Sequence, residues 1–279
     1  MEKKVLSTKE FVAKYDLMAK KALGQNFLLD SNIVDKIMRL SLKEQGISSL
    51  DGQNVLEIGP GPGGLTQAVL RCEPSVFKVI EMDERCLKIL AEIKEAYPCL
   101  EVINGDALKY DWQGNFLENG KCHIVSNLPY NISVILLVKW LLNIGQYQSL
   151  TLMFQKEVGD RILAEVGSKD YGRISILSQL QCKVVRLFDL PPTCFVPAPK
   201  IWSSVLLFLP RDDALDERVL EKVEWLTSLA FAQRRKMIRQ SLKSVNNIFE
   251  ILSELNIEPT LRAENLSPSD YFKIAQRLV

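Results

Sequence analysis

Between residues 54 and 210, seven short apolar runs alternate with segments of helical period, and this pattern constrains the fold more than any other feature. The runs cover 54–58, 77–82, 100–104, 123–127, 149–154, 183–189 and 203–209. They are continuous rather than strictly alternating, as expected where helices cover both faces of a sheet. Segments between them, 85–97 and 133–143 for example, place apolar residues at helical spacing. The expectation is an α/β fold: a doubly wound, seven-stranded, mostly parallel sheet. Past residue 210 the apolar positions keep only helical period, through Val219, Val223, Leu226 and Ala230, then Ile248, Ile251, Leu252 and Leu255. Ser267-Pro268-Ser269-Asp270 reads as a helix start, with a serine cap, proline at the first position and an acid three on. The expected organisation is therefore a large domain over 1–210, with an N-terminal segment 1–52 that holds a short amphipathic helix at 32–40, and a small all-helical domain over 211–279.

Composition removes several classes. With 47% apolar and 25% charged residues there is ample core material and no disorder signature. Basic and acidic residues number 35 and 34, so any nucleic-acid footprint has to be local. Met1-Glu2-Lys3-Lys4-Val5 has no apolar stretch behind its lysines, and the run at 134–142 is short and interrupted by Lys139; neither a secretory signal nor a membrane span is expected. Cys72, Cys86, Cys99, Cys122, Cys182 and Cys194 are scattered, and His123 is the single histidine, so the expectation is reduced thiols in a cytoplasmic protein with no metal. No exposed apolar seam is evident, which makes a monomer the default.

The first run leads into Gly59-Pro60-Gly61-Pro62-Gly63-Gly64, where Gly59, Gly61 and Gly64 satisfy G-x-G-x-x-G, and Glu81 follows twenty-two residues beyond Gly59. Taken alone, this fits a nicotinamide dinucleotide as well as any other nucleoside ligand, with Glu81 accepting from ribose hydroxyls. The charges separate the possibilities. Glu57 sits just inside the loop, and Gly105-Asp106-Ala107-Leu108 closes the third run with a carboxylate suited to an adenine amine. Three acids, and no lysine or arginine in the loop, suit the cationic, phosphate-free S-adenosylmethionine better than a pyrophosphate.

Downstream, Ser126-Asn127-Leu128-Pro129-Tyr130 would offer two acceptors and an aromatic face at one strand end. The side-chain oxygen of Asn127 and the carbonyl of Leu128 or Pro129 could take the two hydrogens of a planar amine such as adenine N6, with Tyr130 stacking on the base. Pro129 would fix the backbone that carries those carbonyls. An Asx-Pro turn after a buried strand is common in unrelated proteins; the glycine loop, Glu81 and Asp106 upstream turn the reading towards methyl transfer onto a base.

With these residues in place the chain resembles the ribosomal RNA adenine dimethylase family, specifically its bacterial small-subunit members. The resemblance includes Leu23-Gly24-Gln25-Asn26-Phe27-Leu28, Gln155-Lys156-Glu157-Val158, Tyr171-Gly172-Arg173, Phe195-Val196-Pro197-Ala198-Pro199-Lys200 and Phe231-Ala232-Gln233-Arg234-Arg235-Lys236. It implies a class I methyltransferase with an antiparallel final strand, which moves four methyl groups from S-adenosylmethionine to N6 of two adjacent adenosines near the 3′ end of small-subunit rRNA, late in subunit assembly. By the same resemblance Asn26 and Leu28 line the cofactor pocket as a lid. Gly59, Gly61, Glu81, Met82, Asp106, Ala107 and Asn127 complete it, and Phe195 sandwiches the target base against Tyr130. Trp202 occupies a slot usually held by a small or polar residue.

Lys20 and Lys21 could contact phosphate or merely end a solvated helix. Arg234, Arg235, Lys236, Arg239 and Lys243 form an acid-free run; on one helix Arg235, Arg239 and Lys243 would share a face, and the family context favours RNA phosphate as their partner. The expected cleft is lined by Asn127, Tyr130, Phe195 and that basic helix, with the RNA recognised by shape and backbone, and neither DNA nor membrane as a partner. Two rivals stand beside this reading. One is a large-subunit rRNA adenine methyltransferase of the antibiotic-resistance type, which the 195–200 and 231–236 motifs disfavour. The other is an assembly factor that has lost catalysis, which the filled catalytic positions disfavour.

Overall fold

The structure is a computed structural model that describes residues 5–20, 24–110 and 120–279. Met1 to Lys4, Lys21 and Leu23, which entered the sequence reading, lie outside the described residues. The chain divides into two compact units: Met1–Leu136 with Gly145–Lys156 and Val185–Leu209, and Leu137–Ile144 with Glu157–Val184 and Pro210–Val279.

The first unit opens with α1 (Thr8–Lys14), which Ser7 and Glu10 close with a capping box, then β1 (Phe27–Leu28) and α2 (Ser31–Gln45). Alternation follows: β2 (Asn54–Ile58), α3 (Gly64–Leu70), β3 (Val76–Glu81), α4 (Glu84–Ala96), β4 (Leu100–Asn104), β5 (Cys122–Ser126), α5 (Tyr130–Leu142) and β6 (Tyr147–Gln155). After α6 (Lys156–Ile162) and α7 (Arg173–Gln181) come β7 (Cys182–Leu190), β8 (Phe195–Val196) and β9 (Ser203–Pro210). The seven long strands form one sheet in the order β4-β3-β2-β5-β6-β9-β7. The pairs β2–β3, β2–β5, β3–β4 and β5–β6 are parallel, and β9 runs antiparallel to β6.

Each expected run is a strand, with limits within two residues. The central strands are buried, all five residues of β5 and the inner residues of β2 and β6, whereas the edge strands β4 and β7 are mostly half-buried. Strand order reverses between β2 and β5, and ligands of open α/β sheets bind where such a reversal leaves a crevice beyond the carboxyl ends of the strands. His123 is buried in the sheet with Nδ1 2.8 Å from Ser149 Oγ, and burial lowers its pKa to about 4. It is a neutral core residue.

A second, two-residue pair was not legible in advance. β1 and β8 run antiparallel, Leu28 opposite Phe195 and Phe27 opposite Val196. Phe27, Leu28 and Phe195 all enter the main hydrophobic cluster, so the N-terminal segment is held down by apolar burial as well as by backbone pairing.

The second unit contains α7, α8 (Glu217–Ala232), α9 (Ile238–Ser241), α10 (Ile248–Glu254) and α11 (Pro268–Gln276). Ser267 and Asp270 form the anticipated capping box, with Asp270 Oδ2 accepting from the Ser267 N–H at 2.8 Å. This unit is larger than the 211–279 segment expected from periodicity, since earlier segments are tied into it. Tyr171 donates to the Leu266 carbonyl at 3.0 Å, and Phe231 packs between Tyr171 and Tyr271. The buried Gln181 amide donates to the Leu141 carbonyl at 2.9 Å and accepts from the Leu215 N–H at 2.7 Å.

The basic run is not one helix. α8 stops at Ala232, residues 233–236 turn, Met237 bridges to Arg262, and α9 is a single short turn. Breaking the helix lets Ile238, Leu242 and Val245 reach the core, with the Ile238 N–H donating to the Leu261 carbonyl. Arg235, Arg239 and Lys243 therefore do not share a helical face. No described helix is long and apolar enough to cross a membrane.

Candidate functional site

A cavity opens in the first unit at the carboxyl ends of β2, β3, β4 and β5. The strand ends deliver its polar groups: Glu57 from β2, Glu81 from β3, Asp106 after β4 and Asn127 after β5. Gly61 has φ +56°, a left-handed conformation that favours glycine, and this turns its N–H onto Glu81 Oε2 at 3.0 Å. Glu81 Oε1 accepts from the N–H groups of Met82 and Asp83, both at 2.8 Å. Burial raises the Glu81 pKa against the pull of these three amides. The carboxylate is thus fixed at the end of β3 before any ligand arrives. Asp106 accepts from the Leu108 N–H at 2.9 Å, an Asx turn that presents its carboxylate at the cavity.

Glu57 behaves differently from the sequence expectation. It is buried, its carboxyl accepts from Thr66 Oγ1 at 2.7 Å, and burial lifts its pKa from the ordinary 4.5 to about 8. At neutral pH this group is mostly a neutral carboxyl, so it supplies no standing negative charge. The sign of its stability effect follows. Below pH 4.5 it is protonated in folded and unfolded chains alike. Between 4.5 and 8 the folded state alone keeps the proton, so stability falls as pH rises through that window. Glu57→Gln, which keeps an acceptor for Thr66, is expected to remove this slope. Thermal melts of both proteins without cofactor, from pH 5 to 8, check it; parallel curves would count against a raised Glu57 pKa.

No lysine, arginine or histidine lines the cavity among the described residues. A pyrophosphate would find no cationic partner here, whereas a nucleoside carrying a sulfonium and an ammonium meets acceptors.

Asn127 lines the cavity with its amide orientation set from outside. Its Nδ2 donates to the main-chain carbonyl of Asn26 at 3.3 Å, which leaves Oδ1 as the acceptor, beside Leu128 and Pro129. Tyr130 is the first residue of α5, and its hydroxyl lies 2.8 Å from the buried Ser203 Oγ, which fixes the ring. Burial raises the Tyr130 pKa, so it stays a neutral phenol. An asparagine amide and an aromatic ring thus sit together at one end of the cavity, where the Pro129 carbonyl already accepts from the Ile132 N–H at 3.1 Å. The family model described as "Ribosomal RNA adenine dimethylase" matches residues 17–279, a span that contains all of them.

The chain belongs to the ribosomal RNA adenine dimethylase family.

Among relatives of this dimethylase, "Ribosomal RNA small subunit methyltransferase A" of Agrobacterium fabrum (strain C58) is 45% identical over 274 residues, covering 97% of this chain and 96% of its own. The protein of the same name from Brucella abortus biovar 1 (strain 9-941) is 45% identical over 271 residues, covering 96% and 95%. A dimethyladenosine transferase structure from Plasmodium falciparum superposes with a TM-score of 0.75 at 26% identity, over 89% of this chain and 96% of that one. The 23S rRNA methyltransferase ErmE shares the fold, with a TM-score of 0.66 at 23% identity over 91% and 99%.

All nine residues expected at the dimethylase's cofactor pocket line the cavity: Asn26, Leu28, Gly59, Gly61, Glu81, Met82, Asp106, Ala107 and Asn127. Leu128, Pro129 and Tyr130 line it too. Phe195 does not. Its pairing with Leu28 draws it into the core, where it is 3% exposed. Arg234, from the basic run, pairs with Glu264 at 2.9 Å and donates to the Ser168 carbonyl at 3.1 Å; Arg235, Lys236, Arg239 and Lys243 are exposed.

Sequence reasoning missed the groups that hold the N-terminal segment in place. Asp83, buried as the cap of α4, accepts from Gln25 Nε2 at 2.9 Å and forms an ion pair with Arg85, which keeps its carboxylate well below the usual range. Arg85 also donates to the Met18 carbonyl at 2.8 Å, and Gln25 accepts from the Lys20 N–H at 2.8 Å. Asp83 alone could have been found, as an acid opening a helical pattern. Its partner Gln25 lies 58 residues away in sequence, and Met18 lies 67 from Arg85; neither has a local signal.

Proposed function

We infer that this protein dimethylates N6 of two adjacent adenosines near the 3′ end of small-subunit (16S) rRNA, with S-adenosylmethionine as the methyl donor. The reading rests above all on the Asn127 amide, which lines the cavity and whose Nδ2 donates to the Asn26 carbonyl, so that its oxygen is the side of the amide left to accept. Near full-length relatedness to proteins named as small-subunit methyltransferases supports the choice of subunit.

Adenine N6 is a weak nucleophile because its lone pair is delocalised into the ring. Asn127 Oδ1 and the carbonyl of Leu128 or Pro129 accept its two hydrogens, draw the nitrogen towards tetrahedral geometry and localise the lone pair. S-adenosylmethionine held by Glu81, Asp106 and the Gly59–Gly61 turn supplies a methyl group on a sulfonium. As the N–CH3 bond forms the S–CH3 bond breaks, and S-adenosylhomocysteine leaves as a neutral thioether. The acceptors lie where the nitrogen gains positive charge, so they lower the barrier electrostatically, and the N6 proton passes to water afterwards with no dedicated base. The buried, neutral His123 agrees with this, since it lines no part of the cavity. Tyr130 stacks on the extruded base, and Phe195 forms the opposite face once the base's entry draws it out of the β1–β8 pair.

In this reading residues 1–210 form the catalytic domain, with 1–52 as its lid segment, and 211–279 contact the ribosomal substrate. Arg235, Lys236, Arg239 and Lys243 neutralise RNA phosphates as separate surface points, and Arg234 serves mainly to brace its own unit. The protein works as a cytoplasmic monomer on immature small subunits and needs no metal. The test offers labelled cofactor to immature small subunits and to large subunits, then maps the modified base. Label on two adjacent adenosines of small-subunit RNA is expected. Label confined to large-subunit RNA would overturn the assignment and favour the antibiotic-resistance branch.

A further inference from the structure

We propose that Trp202 is a stacking platform for the nucleotide next to the adenosine being methylated, so that the RNA strand is gripped by an aromatic face outside the pocket as well as inside it. The proposal rests on the rRNA-methylation reading above and adds a contact which that reading does not use.

Trp202 is 49% exposed, so its indole is open to a partner. Its place is fixed on both sides. The Trp202 carbonyl accepts from the Lys156 N–H at 2.8 Å, and the next residue, Ser203, pairs with Gln155 across the sheet. Ser203 also makes the 2.8 Å hydrogen bond to the Tyr130 hydroxyl. The indole is therefore mounted one residue, about 3.8 Å of backbone, from the group that positions the base-stacking tyrosine. A rigid mount matters, since an aromatic surface on a mobile loop would lose part of its stacking energy to ordering.

The surroundings suit nucleic acid. Ile201 is exposed next to it in the chain, and Lys200 is exposed two residues before it. From Leu190 to Arg211 the sequence contains no aspartate or glutamate. Asp189, which accepts from Ser204 Oγ at 2.6 Å, is neutralised by ion pairs to Lys156 and Arg186, so an apolar surface with the exposed Lys200 suits a base with its phosphate. Extruding one base also strips its neighbour of a stacking partner, and every base has a π-face that an indole can cover whatever the sequence. If the two target adenosines are adjacent, the nucleotide on Trp202 during one transfer is the other adenosine of the pair.

Steady-state kinetics on immature small subunits with W202A, W202F and W202L test the proposal, with S-adenosylhomocysteine titration as the check on the pocket. W202A is expected to raise KM for subunits about tenfold, the loss of one base–aromatic stack, while kcat and cofactor affinity stay near wild type. W202F should return most of that loss, and W202L should not. An unchanged KM in W202A would overturn the proposal. So would a W202L protein matching wild type, which would mark an apolar contact with a ribosomal protein instead. Should W202A fail to fold, the contrast between W202F and W202L decides alone. Wild-type protein that leaves small subunits unlabelled would remove the underlying reading and this proposal together; wild-type activity with an indifferent Trp202 would remove only the latter.

Discussion

Asn127→Ala is expected to reduce kcat for methyl transfer about 10²–10³-fold, the scale seen when one electrostatic contact to a transition state is removed. The side chain does two things that alanine cannot. Its oxygen accepts from the amine, and its Nδ2 holds the Asn26 carbonyl, joining the N-terminal segment to the strand end. Asn127→Asp separates them: a carboxylate still accepts, but it faces the Asn26 carbonyl without a proton and turns away. Both variants should fold, since the residue is only partly buried. Single-turnover rates on small subunits, with circular dichroism as control, give the answer. A wild-type rate in Asn127→Ala would remove the proposed mechanism and revive the non-catalytic assembly factor.

Gly64→Ala should be nearly as damaging, for a reason that lies in packing. A Cβ at this position would sit 2.6 Å from the Leu28 carbonyl oxygen, closer than any real Cβ contact, and the obstacle is backbone that cannot rotate aside. Either α3 shifts at its first residue or β1 retreats, and β1 carries Leu28 in the cavity wall next to Asn26. Overpacking of this kind costs about 1–3 kcal/mol, so S-adenosylhomocysteine affinity is expected to fall about 5–150-fold, with a lower Tm. Gly145→Ala is the control, since its added Cβ meets nothing within 4 Å. Calorimetric titration of the three proteins checks this, and equal affinities would show that β1 can move without disturbing the pocket.

The way these two residues were found shows what a sequence exposes. Asn127 was legible because it ends an apolar strand and begins a turn, and a polar residue there has few purposes besides capping or ligand contact. The acids at 81 and 106 were legible for the same reason. The strand at 54–58 was read with its observed limits, since residues buried on both faces leave a nearly continuous apolar run. The edge strand at 100–104 was read from Leu100, Val102 and Ile103, although most of it is only half-buried or exposed. The partners that aim these groups were not legible. Asn26 reaches Asn127 across 101 positions, and Ser203 reaches Tyr130 across 73. Two-residue strands such as β1 and β8 have no period to detect. The basic run misled because helical spacing presumes a continuous helix, whereas burying Ile238 and Leu242 required a break.

By itself, then, the sequence determined the α/β layering, the order of the strand-end acids and the residues of the Asn-Leu-Pro-Tyr turn. Each of these follows from local burial pattern or local charge. The tertiary structure alone decided that Phe195 sits in the core, that Glu57 is a neutral carboxyl at neutral pH, and that the asparagine amide is oriented by the N-terminal segment. Those outcomes depend on solvent exclusion and on contacts between residues far apart in the chain, which exist only once the sheet and its covering segments have closed.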